Sequence, residues 1–239
     1  MLLRFEKVSY SYPEVLALDG VSFKVARGEI VGLIGANGAG KTTALLHIVR
    51  FLKPQSGIIQ IDGTDIFRIK NEDFPVSYIP DTPVFYEELT LLEHLHFVKA
   101  LYPDKQLSAN EVIDRLELHE HLHKVPSALS RGTRQKLMIA LALLRDYELL
   151  IADEPFSGLD PKQISVFRHI LTECRQEKKA VLLSTHLLNM VDGICDRYIM
   201  LHRGRLIACG TVQDIVQRHS LSPDSTLEQV YLALVGREK

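Results

Sequence analysis

The sequence has little that would suit a secreted, nucleic-acid-binding or fibrous protein. Its formal net charge is only −2 over 239 residues, so no bulk positive charge favours nucleic acid as a partner. Its three cysteines are odd in number and lack metal-binding spacing, which is typical of reduced thiols in a cytoplasmic protein. The sequence contains no internal repeat and no low-complexity tract.

Long hydrophobic runs are also missing. The longest run near the centre, residues 137–144, lies between Lys136 and Arg145 and is far too short to cross a bilayer. Charged residues at positions 4, 6 and 7 interrupt the apolar N-terminus, so we expect no signal peptide. The hydrophobic fraction is nevertheless 46%, which is enough to form one large α/β domain, or a domain with an inserted subdomain.

The most informative segment is glycine-rich and fits the pattern G-x-x-x-x-G-K-[ST]. An apolar strand (30–34) is predicted before it and a helix (42–51) after it. In this context, backbone N–H groups surround phosphate oxygens at the positive end of a helix. We expect Lys41 to reach the β- and γ-phosphates and Thr42 to ligate Mg²⁺. The predicted nucleotide-binding residues of this phosphate loop are Gly35, Ala36, Asn37, Gly38, Ala39, Gly40, Lys41, Thr42 and Thr43.

A pair of acidic residues downstream indicates hydrolysis. Apolar residues 149–152 lead directly into Asp153 and Glu154. At the carboxyl end of a strand, the first acid can hold the water shell of Mg²⁺, and the second can orient or deprotonate the attacking water. Acidic residues are common at strand ends, but together with the phosphate loop they predict hydrolysis of ATP or GTP.

Hydrophobic periodicity predicts an α/β fold with a mostly parallel sheet and an N-terminal antiparallel β subdomain. Residues 3–8 and 21–25 alternate with period two, as antiparallel strands do. Apolar strands at 148–152, 180–184 and 197–201 alternate with helices, which implies a parallel sheet with crossover connections.

Residues 88–145 differ from their surroundings and predict an inserted α-helical subdomain. Capping boxes at Thr90–Glu93 and Ser108–Glu111 indicate two helix starts. We therefore assign residues 1–220 to one nucleotide-binding domain that contains this insertion. Residues 221–239 form a predicted C-terminal helix and tail, with helical periodicity over 222–235.

The segment from Leu129 to Lys136 resembles the signature motif of ABC ATPases. A serine, a glycine and free N–H groups at a helix start can also form an anion site on physical grounds. Residues 155–160 resemble the family's D-loop, and His186 follows an apolar strand where the family has its switch histidine. Tyr12 is similar to the aromatic residue that stacks on adenine, although Tyr10 is an alternative. The similarity extends over residues 2–215.

This resemblance implies a P-loop NTPase core that binds ATP and Mg²⁺. It further implies two ATPase subunits, identical or closely related, closing head-to-tail over two ATP molecules and driving a polytopic membrane (permease) subunit. Ser130, Gly132 and Asp160 would contact the nucleotide held by the opposite subunit. Glu154, His186 and Lys41 would be catalytic. The chain would then be cytoplasmic and peripheral on the inner face of the membrane.

Two further features narrow the resemblance. Residues 78–90, 153–161 and 226–232 look like the ATPase subunit of Ecs-type bacterial exporters. One position departs from the family pattern, because Asp81 stands where most ABC ATPases carry a glutamine that touches Mg²⁺ or the water. We expect Thr42, Asp81 and Asp153 to be the metal-site residues. Val84, Phe85 and Tyr86 form an apolar cluster that we expect to meet the membrane subunit.

Two alternatives remain at this point. A soluble ABC-type switch acting on ribosomes or DNA is less favoured, because there is one nucleotide domain, a near-neutral charge and a short insertion. A P-loop kinase would have no need of the Ser130–Gly132 segment or His186. His119 and His123 would share a helix face if 119–123 were helical, but without a further ligand we interpret them as a solvated polar surface.

Overall fold

The computed structural model describes residues 1–102 and 107–237. Residues 103–106 of the predicted helical insertion and the last two residues of the predicted tail lie outside this range. The strands of the described part are Leu3–Tyr12 (β1), Val15–Val25 (β2), Ile30–Ile34 (β3), Ser56–Ile61 (β4), Thr64–Asp65 (β5), Val76–Ile79 (β6), Leu149–Asp153 (β7), Ala180–Thr185 (β8), Arg197–His202 (β9) and Arg205–Gly210 (β10). The α-helices are Lys41–Ile48 (α1), Leu91–Leu101 (α2), Ala109–Arg115 (α3), Arg131–Leu143 (α4), Pro161–Gln176 (α5), Leu188–Val191 (α6), Val212–Arg218 (α7) and Leu227–Arg237 (α8).

The strands form two sheets. The N-terminal sheet has the order β2-β1-β4-β5 and is antiparallel. The larger sheet has the order β10-β9-β3-β8-β7-β6, in which the pairs from β9 to β6 are parallel and only β10 runs antiparallel to β9. These pairings confirm the predicted α/β fold with an antiparallel N-terminal sheet and a mostly parallel main sheet.

Both faces of the main sheet are buried. Every residue of β3, β7 and β8 is buried, which is why these strands are apolar almost throughout instead of alternating. One face packs with the N-terminal sheet and α1, through residues such as Phe5, Leu45 and Ile151. The other face packs with the helices that follow β6, through residues such as Leu137 and Phe167.

The strand order of the larger sheet brings the predicted nucleotide-binding and catalytic residues to one edge of the sheet. Because β3 lies directly beside β8, and β8 beside β7, the loops after these three strands leave the same edge. The phosphate loop follows β3, Glu154 follows Asp153 at the end of β7, and His186 follows β8. In open α/β sheets this carboxyl edge is where ligands bind.

Helices α2 and α3 of the predicted helical insertion begin where the capping boxes in the sequence predict. Thr90 and Ser108 accept hydrogen bonds from the backbone of Glu93 and Glu111, and both glutamates bond back to the backbone of their caps. Both capping boxes are therefore confirmed. Helix α4 packs on β6 and α2, which attaches this segment to the edge of the main sheet.

Two helix boundaries differ from the predictions. Helix α1 ends at Ile48, short of residue 51, because Arg50 adopts a left-handed φ of 65°. The Phe51 and Arg50 amides then bond back to the carbonyls of Leu46 and His47, which forms a Schellman stop.

Helix α8 begins at Leu227, later than residue 222. Thr226 and Gln229 form its capping box, with the Gln229 amide bonding Thr226 and the Thr226 amide bonding the Gln229 side chain. Pro223 lies in the segment before this box. Within the described ranges, no helix has both the length and the hydrophobicity needed to span a membrane.

Candidate nucleotide site

The phosphate loop connects β3 to α1 and needs glycine at two close approaches. A side chain at Gly35 would lie 2.6 Å from the Leu201 carbonyl oxygen. Gly40 has a φ of +101°, and a side chain there would lie 2.5 Å from the carbonyl oxygen of Ala17. The backbone packs so closely at both positions that a Cβ atom would not fit, and only glycine allows the loop to come this near to the two carbonyl oxygens.

Lys41 is folded back over this loop. Its side chain is only 6% exposed, and its ammonium group donates to the Gly35 carbonyl at 2.8 Å and to the Ala36 carbonyl at 3.4 Å. The same ammonium lies 3.6 Å from Oε1 of Glu154. A buried cation held between carbonyls and one carboxylate is available for exchange onto a polyphosphate, which offers stronger acceptors.

Asp153 is buried at the end of β7. One carboxylate oxygen accepts a hydrogen bond from the Ser184 hydroxyl of the neighbouring strand, and the other, Oδ2, is buried without a hydrogen-bond partner. Burial raises the pKa of Asp153, the Ser184 bond and the nearby Thr42 hydroxyl oppose this, and the charges of Asp81 and Glu154 raise it further. An unpartnered buried carboxylate oxygen beside a threonine hydroxyl fits an oxygen-binding cation such as Mg²⁺.

Glu154 is held from three sides and adopts an unusual backbone conformation. Its carboxylate accepts hydrogen bonds from the Thr185 hydroxyl at 2.9 Å and the His186 amide at 3.1 Å. Nδ1 of His186 lies 2.9 Å from Oε1. The φ of Glu154 is +46°, a strained value for a residue with a side chain, and such strain is concentrated at functional sites.

One cleft of about 470 Å³ gathers most of the predicted site residues. The predicted residues that line it are Tyr12, Asn37, Gly38, Ala39, Gly40, Lys41, Thr42, Thr43, Asp81, Glu154 and His186. Tyr12 is exposed at its mouth, whereas Tyr10 is half-buried with its ring against that of the buried His47. This arrangement favours Tyr12 over Tyr10 as the residue that would meet a base.

Asp81 joins the same cleft from the loop after β6. It is exposed and lines the cleft together with Thr42 and Glu154. Its charge contributes to the raised pKa of Asp153 and also raises the pKa of Tyr78. The three predicted metal-site residues, Thr42, Asp81 and Asp153, therefore lie close enough together for Thr42 and Asp81 to affect the pKa of Asp153.

Five predicted nucleotide contacts do not line this cleft, namely Gly35, Ala36, Ser130, Gly132 and Asp160. Ser130 caps α4 by accepting a hydrogen bond from the Thr133 amide. Asp160 caps α5 in the same way, through the Gln163 amide at 2.8 Å. Gly132 lies against the loop before α5, where an added Cβ would meet the Gly158 carbonyl at 2.9 Å.

The start of α4 nevertheless reaches the rim of the cleft. The Arg131 guanidinium donates to the Ser157 hydroxyl, and both residues line the cleft. The signature-like segment and the D-loop-like segment therefore meet beside the phosphate loop of the same chain.

Comparison with known proteins settles the family. A family model described as ABC transporter matches residues 18–157, which are more than half of the chain. The chain belongs to the ABC transporter ATP-binding family. It is an ATP-binding subunit and an ATPase of this family, as the phosphate loop and the two acids predict.

Individual relatives extend over the whole chain. The ABC-type transporter ATP-binding protein EcsA of Bacillus subtilis is 36% identical over 99% of this chain and 98% of its own length, which confirms the predicted Ecs-type similarity. The lipopolysaccharide export system ATP-binding protein LptB of Haemophilus influenzae is 30% identical over 97% of both chains. The solved structure of an ATP-binding subunit of an ABC transporter superimposes with a TM-score of 0.91 at 37% identity, covering 98% of this chain and 100% of that one.

Two supporting residues in this ABC ATPase were missed from its sequence. Ser184 and Thr185, at the end of β8, bond Asp153 and Glu154 respectively. A signal for them existed, because parallel strands end at a common edge and the apolar run 180–183 also ends in hydroxyl residues.

The histidines of the helical segment form no metal pair in the described ranges. Residues 119–121 form a single 3₁₀ turn, so His119 and His123 do not have α-helical spacing. His119 instead pairs with Asp114 at 2.7 Å. No group of three histidine, cysteine or acidic residues that could hold a metal occurs in residues 1–102 and 107–237.

Proposed function

We propose that this ATPase powers export through a separate polytopic membrane subunit, by ATP-driven closure of two ATPase subunits. The likeness to the lipopolysaccharide export system ATP-binding protein LptB supports export as the direction. The chain would lie in the cytoplasm, held at the inner face of the membrane by its membrane partner.

The observation that carries the proposal is the division of the predicted site. Tyr12, residues 37–43 of the phosphate loop, Glu154 and His186 share one cleft, whereas Ser130, Gly132 and Asp160 lie outside it. A second copy, or a close relative, placed head-to-tail would bring its own Ser130–Gly132 segment over this cleft. The free N–H groups at the start of its α4 would then face the γ-phosphate.

Each residue then has a proposed role. Glu154 is the base or the water-orienting group, since its carboxylate lies at the end of β7 within reach of Lys41 and His186. Lys41 would move from the loop carbonyls to the β- and γ-phosphates. His186 would contact the γ-phosphate while its Nδ1 holds Glu154 in position.

Thr42, Asp153 and Asp81 are the residues that would hold Mg²⁺. The unpartnered Oδ2 of Asp153 supports a cation at this position. When bound, such a cation neutralises phosphate charge during transfer. The residues of the chain position it through the Ser184 hydroxyl, which fixes the other oxygen of Asp153.

The membrane subunit would dock on an apolar patch formed by Val84, Tyr86, Phe97 and Leu101. Val84 is 82% exposed and Tyr86 58% exposed, and the rings of Tyr86 and Phe97 meet edge-to-face. Phe85 does not belong to this patch, contrary to the prediction, because it is half-buried against the helical core and the ring of His94. Contiguous exposed apolar residues of this kind mark interfaces.

Purification of the tagged chain from its native host tests this function. We expect a polytopic membrane protein to co-purify in detergent and to remain with the chain through a salt wash. Recovery in the ribosomal or DNA-bound fraction, with no membrane protein attached, would instead favour a soluble ABC-type switch.

Tyr86→Ala is expected to weaken binding to the membrane subunit by about 1–2 kcal/mol, a typical cost for truncating a tyrosine at an interface. Basal ATPase activity should not change, because Tyr86 lies outside the cleft. The measurement is the amount of membrane subunit co-purified per ATPase. Ile58→Ala, which truncates an exposed apolar residue on β4, is the matched control. Equal recovery with both variants would remove the patch from the proposal.

Asp81 should make ATP binding depend steeply on Mg²⁺. Without the cation, Asp81, Asp153 and Glu154 repel one another and the triphosphate, whereas a charged oxygen ligand is favoured over an amide once the cation is bound. We expect ATP affinity to rise more steeply with Mg²⁺ concentration in the wild type than in Asp81→Gln. Superimposable titrations of the two proteins would show that Asp81 is not a metal-site residue.

A further inference from the structure

The C-terminal helix α8 reaches the phosphate loop from the far end of the chain. The Ala36 amide donates a 2.8 Å hydrogen bond to the hydroxyl oxygen of Tyr231, over a sequence separation of 195 residues. The Tyr231 hydroxyl donates in turn to the Leu201 carbonyl at 3.4 Å. Both hydrogen bonds converge where β3 passes into the phosphate loop.

The Tyr231 hydroxyl links two backbone groups, one in β9 and one in the phosphate loop. Leu201 lies near the end of β9, the parallel neighbour of β3, and its carbonyl oxygen already lies against Gly35. The Tyr231 hydroxyl bridges that carbonyl to the next amide in the loop, Ala36. The peptide groups at the start of the phosphate loop are therefore tied to β9 through one side chain of α8.

Both ends of the Ala36 residue are engaged in this arrangement. Its N–H group is held by Tyr231, and its carbonyl accepts from the Lys41 ammonium at 3.4 Å. When Lys41 turns to a polyphosphate, the Ala36 carbonyl keeps its hydrogen bond from the Ala39 amide at 3.1 Å, and the Ala36 N–H group keeps its bond to Tyr231. Neither of these two bonds depends on the lysine.

Helix α8 is itself firmly placed. Its buried residues, Leu227, Val230, Tyr231 and Leu234, recur at helical spacing and belong to the main core. The helix packs on α6, which follows His186, and on α7. One short helix therefore contacts both the phosphate loop, through Tyr231, and the helix that follows His186.

We propose that Tyr231 is a positioning residue for the phosphate loop, which holds the Ala36 peptide in the orientation that binds ATP. The inference rests on the proposed role of this loop in nucleotide binding. Loss of the hydroxyl removes the side-chain partner of the part-buried Ala36 amide and lets the start of the loop relax, while the aromatic ring retains its packing.

Tyr231→Phe in the full chain tests this role. We expect the Kd for ATP and the KM of the ATPase to rise by about 3- to 10-fold, the range for losing one intramolecular hydrogen bond, with kcat at saturating ATP nearly unchanged. In the nucleotide-free protein, amide hydrogen exchange of a peptide spanning residues 34–40 should become faster.

Tyr198→Phe is the matched control. Tyr198 belongs to the same core and donates its hydroxyl to a backbone carbonyl, that of Val191, at 3.1 Å. The control should lower the thermal midpoint as Tyr231→Phe does, without changing ATP affinity or exchange in residues 34–40.

The outcomes are distinguishable. If wild type and Tyr198→Phe bind ATP equally and Tyr231→Phe matches them, with unchanged exchange in the loop, Tyr231 is only a packing residue and the inference is overturned. If the wild-type protein itself fails to bind ATP, both the proposed function and the inference about Tyr231 are wrong.

Discussion

Glu154→Gln is expected to bind ATP while hydrolysing it about 10²- to 10⁴-fold more slowly, the usual range for losing a general base. This corresponds to about 2.7–5.4 kcal/mol in the activation barrier. An amide oxygen at the position of Oε2 can still accept from the Thr185 hydroxyl and the His186 amide, so the fold and the cleft should be preserved. Single-turnover hydrolysis of radiolabelled ATP gives the rate.

The comparison for this variant comes from the same strand. Glu148 lies immediately before β7 and Glu154 immediately after it, and Glu148 pairs with Arg27 on the surface. Glu148→Gln therefore removes a carboxylate at the opposite end of the strand and should hydrolyse ATP at the wild-type rate. Wild-type turnover by Glu154→Gln would remove Glu154 from the catalytic role.

Lys41→Ala should abolish detectable binding at micromolar ATP. The ammonium is buried beside the loop carbonyls and Glu154, and without it a polyphosphate in the cleft loses its principal cation while Glu154 repels it. Leaving a buried charge unpaired costs about 3 kcal/mol or more, which weakens the Kd by at least about 100-fold.

Isothermal titration calorimetry measures this loss. Lys53→Ala is a suitable control, because Lys53 is an exposed lysine just beyond α1 and its removal changes the net charge equally. Its affinity for ATP should equal that of the wild type. Unchanged affinity in Lys41→Ala would contradict the assignment of the phosphate loop.

Local signals account for what the sequence predicts well. The phosphate loop is recognisable because its glycines, lysine and threonine occur at fixed spacing between an apolar strand and a helix. The fully apolar segments of β3, β7 and β8 predict a buried parallel sheet, and the capping boxes at Thr90 and Ser108 are contained within four residues.

Long-range contacts explain what was missed. The Tyr231–Ala36 hydrogen bond joins residues 195 positions apart, and nothing in the C-terminal sequence indicates which loop its tyrosine meets. The early end of α1 depends on a left-handed φ at Arg50. The presence of an arginine at this position does not predict that conformation. Phe85 was predicted to be exposed because its neighbours are, but its side chain turns inward toward His94.

The most direct test of the account is the mass of Glu154→Gln in solution, measured by multi-angle light scattering with and without MgATP. The cleft of one chain holds only part of the predicted site, so ATP should join two chains and, since it is not hydrolysed, keep them joined. We predict twice the single-chain mass with MgATP and the single-chain mass without nucleotide, or when Lys41→Ala is added. A protein that binds ATP by calorimetry but keeps the single-chain mass would contradict the proposed head-to-tail pair.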